Sequence, residues 1–495
     1  MTDINLVFDP ENYKEETFCE DGRSIRVRSY YDIVYCKKPA DGIQKLNIFV
    51  PACYYDGLAI NGYTIDNSPI FMPNTVGGYM PGPADVPGRG HFGEVNAVFR
   101  ALEHGYVTVC AGVRGRTTGK ISTEFFEGSR ADYLGEATGK CVGRAPAFAV
   151  DMKAAIRYLR FNKDVIPGDT EKIITNGTSA GGALSALIGA GGNVKDYEPF
   201  LEEIGAADER DDIFAASCYC PIHNLEHADM AYEWLFGGED TFHMQKKVKT
   251  DEGLKRVPWE EVMSCDLMEL SKQLAKKFPE YIKSLGLCDE NGKPLLLDKN
   301  GEGSFKEFVK GWVIRSAQKE IDTHSSKNSE DWVTADGSEV EKQDFLIYEN
   351  GRIVDIDWEG YISSITRMKP VFAFDHLDLS SPENEEFGDE SCDGRHFTDF
   401  AMEHSKVGGE MASQKIIRLM NPLSFIRDKD ADKAKHWRIR HGSFDRDTSI
   451  AIPVILQTML KNEGFDVDFF LPWGVPHRGD YDIEELFAWI DKICR

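Results

Sequence analysis

Residues 172–190 constrain the fold of this chain more than any other stretch. A short apolar run, KIITN at 172–176, passes through Gly177-Thr178-Ser179-Ala180-Gly181 directly into GALSALIGA. The first reads as a buried strand and the last as an apolar helix, with only a tight turn between them. Glycine on either side of the serine permits such a turn, because neither position must house a Cβ. A strand delivered straight into a helix belongs to a largely parallel sheet with helices on its faces, so the chain is read as α/β. Upstream, PIFMP at 69–73 and the β-branched YVTVCAGV at 106–113 read as further buried strands. Phe148, Met152, Ala155, Ile156 and Leu159 recur at helical spacing and predict a helix over 147–161.

Further strands are expected at 43–50 and 213–220, and then the rhythm changes. Residues 259–287 read as charged helix, 289–304 as glycine-bearing turns and 305–320 as another helix. DFLIYENGRIVDID follows as a hairpin whose Asn350-Gly351 suits a type I′ turn. Strand–helix alternation returns with HWRIRHG at 436–442, a helix over 448–462, DVDFFL at 466–471 and a last helix to 493. The chain therefore divides into a core, residues 1–221 and 426–495, and an inserted domain, residues 222–425.

A G-x-S-x-G at a strand-to-helix turn places a serine hydroxyl where the free N–H groups and positive end of the helix favour developing negative charge. A serine is a poor nucleophile until a base takes its proton. His477, in LPWGVPHRGD after the last core strand, stands where the base is expected. The turn after the preceding strand, HGSFDRD, offers Asp445 and Asp447 as the acid. The H-G-x-x-D spacing His441–Asp445, which resembles the acid turn of many α/β-hydrolases, selects Asp445; Asp447, directly before a predicted helix, has an N-cap as its plain role. Two backbone donors are needed for an oxyanion: Ala180, after the nucleophile, and Gly78, in the glycine turn after PIFMP.

Other features are set aside. His223 and His227 stand four apart and would share a helical face, but a zinc site needs a third ligand. Asp298-Lys-Asn300-Gly-Glu302 begins like a calcium loop yet has Val309 where a bidentate Glu is required. Arg114-Gly-Arg116 could bind an anion but is read as structural. Eleven cysteines, scattered without a CxxC pair, are read as reduced thiols of a cytoplasmic protein, and Cys218-x-Cys220 as a strand pair facing opposite ways. With 57 Lys+Arg against 83 Asp+Glu the net charge is −26, which disfavours phosphate backbones and polyanionic substrates. The N-terminus shows no signal-peptide pattern, and no run of about 18 apolar residues suggests a membrane span.

Long segments then place the chain beside a known family. PNTVGGYMPGPAD, GVRGRTTG, ITNGTSAGG, CPIHNLEHADMAYEW, LSSPEN (379–384) and KHWRIRHGSFDRDTS together resemble the bacterial tannases, over nearly the whole length. The resemblance implies an α/β-hydrolase fold with a large inserted lid and a serine esterase for galloyl and related hydroxybenzoyl esters, needing no cofactor or metal. It implies catalytic Ser179, Asp445 and His477, in agreement with the residue reading. It also implies that Lys369, Glu383 and Asp447 bond the ring hydroxyls while Ile222 and Pro382 flank the ring. The partner is a small phenolic ester. Alternatives are a hydroxycinnamoyl (feruloyl) esterase, or a binding protein reusing the fold. Residues 119–145 are longer than the family's loop and are expected to overhang the site.

Overall fold

The computed structural model describes residues 4–90, 93–121, 137–250, 253–324, 332–333, 339–340 and 343–495. Its centre is a nine-stranded sheet. Strands β1 (Lys14–Glu20), β2 (Arg23–Val34) and β3 (Lys45–Pro51) run antiparallel to their neighbours at one edge. β4 (Pro69–Pro73), β5 (Val107–Ala111), β6 (Asp169–Thr178) and β7 (Ala215–Tyr219) follow, then the strands His436–Arg440 and Asp466–Phe470. The order is β1-β2-β3-β5-β4-β6-β7, then 436–440 and 466–470, and pairing is parallel from β5 onward. β4, β5 and β7 are wholly buried, and β6 is buried from Ile173 to Gly177, which is why these stretches lack the polar–apolar alternation of a half-exposed strand.

Helices cover both faces. Ala97–His104 packs with the C-terminal Ile483–Cys494, and Ala147–Phe161 packs with Ala180–Ala190. Helix 147–161 occupies the span expected from its periodicity and is buried along nearly all of it. Its buried Asp151 is satisfied by Arg114 and Gln44, each at 2.7 Å, so Arg114 belongs to the core. None of the elements between Leu225 and Ile426 joins the large sheet, and β7 lies next to 436–440. Among the described residues no helix is long and apolar enough to cross a membrane.

Two expectations fail. Trp259 is not helical: β8 (Thr241–Thr250) and β9 (Gly253–Val262) form an antiparallel hairpin, and helices begin only at Cys265–Ala275 and Phe278–Leu285. Cross-strand pairing in ten registered positions overrides the charged composition that suggested a helix. The expected Asn350-Gly351 hairpin is present, with both residues left-handed (φ 52° and 77°) between Leu346–Glu349 and Arg352–Ile356.

The second failure concerns the thiols. Cys141 and Cys392 form a disulfide across 251 residues, whereas nine other cysteines are free. A backbone match, Cys141 N–H to Glu390 carbonyl at 3.0 Å, aligns the two segments. Cys141 and Cys392 are therefore not the reduced thiols expected, because the fold aligns segments that no spacing in the sequence relates. Cys392→Ser should cost about 2–4 kcal/mol of stability, as removal of a crosslink that restrains the unfolded chain does. The check is a urea midpoint with and without reductant: wild type under reductant should match the variant, and an unchanged midpoint would show that the link contributes nothing. Of the long 119–145 segment, 122–136 fall outside the described residues, so the expected overhang is not visible.

Candidate functional site

The parallel strands end on one side of the sheet, and every expected catalytic side chain follows one of those ends. Ser179 comes after β6, Gly78 after β4, Ile222 after β7, Asp445 after 436–440 and His477 after 466–470. Ligands in such sheets bind at the carboxyl ends of strands.

Ser179 has φ 62° and ψ −124°, a strained left-handed turn for a residue with a side chain. It is held by its own N–H on the Tyr219 carbonyl (3.0 Å) and by the Ile222 N–H on its carbonyl (3.2 Å). The flanking glycines are required by close approach. A Cβ on Gly177 would lie 2.3 Å from the Gly181 oxygen, and one on Gly181 would lie 2.4 Å from Asn74 Oδ1. Asn74 fills the space they leave, donating from Nδ2 to the carbonyls of Asn176 (3.0 Å) and Gly181 (3.1 Å). One asparagine thus binds the β4 loop to the serine turn.

Behind the serine, Asp445 is buried and its Oδ2 lies 2.7 Å from His477 Nδ1. Its other oxygen accepts from the Asp447 N–H at 2.9 Å. Burial alone would lower the His477 pKa, but the Asp445 carboxylate in contact, with Asp447 nearby, outweighs it and holds the imidazole well above its ordinary value. Burial would raise Asp445, and the imidazole holds it below the usual carboxylate range. His477 Nε2 stands 3.9 Å from Asp447 Oδ2. Among the described residues no hydrogen bond joins Ser179 Oγ to His477, although both border the same cavity.

That cavity, about 640 Å³, is lined by Gly78, Ser179, Ala180, Ile222, Lys369, Pro382, Glu383, Asp447 and His477, among others. The structure therefore brings together every expected site residue, Asp445 standing behind His477. Lys369 and Glu383 do not form a simple surface ion pair. Lys369 Nζ lies 2.8 Å from Asp447 Oδ1 and 4.1 Å from the centre of the Phe374 ring. Burial would lower the lysine, but Asp447 and Glu383 raise it to about 12, so it remains a cation. Glu383 is buried, which pushes its carboxyl up despite Lys369 and Arg116. Asp447 is no helix cap, since the next helix starts at Ala451.

Eight lining residues were not expected from sequence, among them four on one hairpin. Phe242 and Met244 of β8 stand opposite Glu261 and Trp259 of β9 and share one face of the hairpin, which closes one wall. The alternation in TFHM and VPWEEV was the available signal. Cys220 was also missed. It has φ 34°, its thiol proton stays on because burial raises its pKa, and its sulfur lies within 4.8 Å of the Asp445 and His477 ligand atoms. That trio has donor types a soft metal could use, but Asp445 and His477 are already hydrogen-bonded to each other. His223 lies before helix Leu225–Phe236 rather than on it, and His227 stacks on Tyr281 with ring centres 3.7 Å apart.

The BD-FAE family model matches residues 139–223. The tannase of Lactobacillus plantarum is 45% identical with a TM-score of 0.89, covering 99% of this chain and 100% of that one. A tannin acyl hydrolase solved in complex with ethyl gallate is 44% identical with a TM-score of 0.88, covering 99% of each chain. The Fusobacterium nucleatum tannase is 42% identical with a TM-score of 0.87, covering 99% of this chain and 100% of that one. Esterase LipQ of Mycobacterium tuberculosis is 30% identical over 109 residues, 22% of this chain and 25% of that esterase.

Proposed function

We propose that Ser179, His477 and Asp445 are the catalytic set of this chain, which belongs to the bacterial tannase (tannin acyl hydrolase) family and hydrolyses galloyl esters as a carboxylic ester hydrolase. The observation that carries the assignment is the shared cavity: a strained serine, an aspartate-held histidine and three charged groups able to bond phenolic hydroxyls border one space.

In this reading the Ser179 hydroxyl attacks the ester carbonyl while His477 Nε2 takes its proton, and Asp445 keeps Nδ1–H pointed inward. The N–H groups of Ala180 and Gly78 receive the developing oxyanion. The alcohol leaves with the proton from His477. Water then attacks the galloyl-enzyme with His477 as base again, releasing gallate and restoring the serine. Transfer requires Ser179 Oγ within hydrogen-bond reach of His477 Nε2, a contact that in such enzymes commonly tightens in the substrate complex. Lys369 donates to a ring hydroxyl while Asp447 and Glu383 accept, and Ile222 and Pro382 hold the ring faces. Residues 222–425, which carry Lys369, Pro382 and Glu383, act as a lid that reads the acid, while the core supplies the chemistry.

The raised histidine has a measurable consequence. His477 works only unprotonated, so kcat/KM for methyl gallate should be lost as pH falls through a limb lying above 6.5, the ordinary histidine value. Asp447→Asn removes one of the carboxylates that raise it and should shift the limb to lower pH. The shift is read on an ester without ring hydroxyls, so that recognition is not disturbed. A wild-type limb at or below 6.5 would contradict the assignment.

A further inference from the structure

We propose that Arg116 is a positioning residue that holds the oxyanion turn and ties it to the lid helix carrying Glu383. The proposal rests on the reading of Gly78 and Ser179 given above. The turn after β4 runs from Gly77 to Met80, closed by the Met80 N–H on the Gly77 carbonyl at 3.0 Å. Both central residues are left-handed, Gly78 at φ 54° and Tyr79 at φ 57°. Such a pair is ordinary for glycine but unfavourable for tyrosine, so the surroundings must impose it. Tyr79 is anchored by its hydroxyl on the Ile222 carbonyl at 2.7 Å. The N–H groups of Gly78 and Tyr79 have no partner among the described residues, which leaves them available to a ligand.

Arg116 supplies the missing restraint. Its Nε donates to the Gly78 carbonyl at 2.8 Å, and its own backbone N–H donates to the Tyr79 carbonyl at 2.8 Å. The preceding residue has no room for a side chain: a Cβ on Gly115 would lie 2.4 Å from the Met80 carbonyl carbon. Backbone therefore lies on backbone here. Gly78 borders the cavity and Arg116 does not, and in the proposed arrangement the carbonyl that Arg116 grips is the side of this peptide turned from the substrate space. In a trans peptide the following N–H points the opposite way. Gripping the Gly78 carbonyl thus turns the Tyr79 N–H toward the cavity, beside that of Gly78, and fixes both before the oxyanion forms. Preorganisation of this kind is what gives such donors their effect.

The other end of the guanidinium faces the lid. Arg116 Nη1 pairs with Glu385, which also takes Lys120. Glu385 lies on the short helix Pro382–Glu386, two residues after Glu383. Arg144 donates to the Glu385 carbonyl, and the Ala145 N–H donates to the Glu386 carbonyl at 2.8 Å. Arg116 is mostly buried, with 12% of its side chain exposed, so its two partners are held at a fixed spacing. A lid that seats its helix for gallate therefore also sets the angle of the oxyanion turn. Glycines 77 and 78 are recognisable in sequence; the arginine that disciplines them is not, because it acts through a carbonyl 38 residues away.

The test uses the full-length enzyme with Arg116→Gln, Arg116→Lys, Glu385→Gln and the Gln–Gln double variant. Four quantities are read: kcat and KM on methyl gallate, the inhibition constant of gallate, and the rate of inactivation by a fluorophosphonate, whose adduct oxygen occupies the oxyanion position. Arg116→Gln should lower kcat and the inactivation rate at least about tenfold, a fraction of the ~10²–10³ lost when a donor is deleted outright. The gallate inhibition constant should change far less than kcat, and Arg116→Lys should recover part of the loss. Glu385→Gln should lower kcat in the same sense, with the double variant no worse than Arg116→Gln because both act through one linkage. Unchanged kcat in Arg116→Gln, a gallate-affinity loss equal to the kcat loss, or additive effects in the double variant would overturn the proposal. Should Arg116→Gln not fold, Arg116→Lys and Glu385→Gln carry the same comparison. A Ser179→Ala control separates the two levels: if that variant remains active, the underlying assignment fails rather than the role of Arg116.

Discussion

Ser179→Ala should lower kcat on methyl gallate by about 10⁶-fold, the loss that follows removal of the nucleophile from a serine triad. The size of the effect comes from the surroundings of that single oxygen. The serine sits in a turn strained enough to need two glycines, with an aspartate-oriented base across the cavity and helix N–H groups beside it. None of these can act without an atom to deprotonate and attack. Gallate binding should survive, because Lys369, Glu383 and Asp447 are untouched. His477→Ala should cost nearly as much alone, and the double variant little more, since the residues work as one unit. Retention of more than about a tenth of wild-type activity by Ser179→Ala would reject acyl-enzyme chemistry at this position, given the residual rates that triads show.

The second large effect is discrimination by the ring hydroxyls. Methyl benzoate offers the same ester without them, and its kcat/KM should lie about 10⁴-fold or more below that of methyl gallate, as in sites built to bond a hydroxyl. The physical reason is the burial of the readers. Glu383 is buried and Lys369 and Asp447, paired with each other, are mostly so, and a ring lacking hydroxyls leaves their remaining hydrogen-bonding capacity unmet. Lys369→Ala should therefore erase most of the difference by harming gallate far more than benzoate. Equal losses on the two esters would show that the lysine holds the fold of the cavity rather than reading the substrate. Methyl ferulate, with a longer acyl arm, separates the hydroxycinnamoyl alternative: it should fall well below gallate.

What could be read in the sequence was whatever rests on local chain geometry. The glycine–serine–glycine turn is visible because its strand, glycines and helix are consecutive in the chain, although Asn74, Tyr219 and Ile222, which hold it, are not, and the strand–helix rhythm places Asp445 and His477 after consecutive strands. Those features depend on period and turn chemistry alone. The Asn350-Gly351 hairpin was legible for the same reason. By contrast the end of β9, from Trp259 onward, was expected to be helix, because the charged residues that follow it hid the alternation of Val257, Trp259 and Glu261. The Cys141–Cys392 link joins segments 251 residues apart, and no spacing rule reaches that far. Arg114 and Arg116 look alike in sequence, yet one neutralises Asp151 in the core and the other grips a backbone carbonyl at the cavity's edge. Cys220 likewise shows its closeness to His477 only once β7, 436–440 and 466–470 are laid side by side.

The central claim is that the nucleophile and the gallate-reading groups belong to one cavity. Peptide mapping after fluorophosphonate treatment, with and without saturating gallate, tests it most directly. The account predicts stoichiometric modification of Ser179 alone and marked protection by gallate. Modification at another residue, or labelling of Ser179 at the same rate with gallate bound, would contradict it.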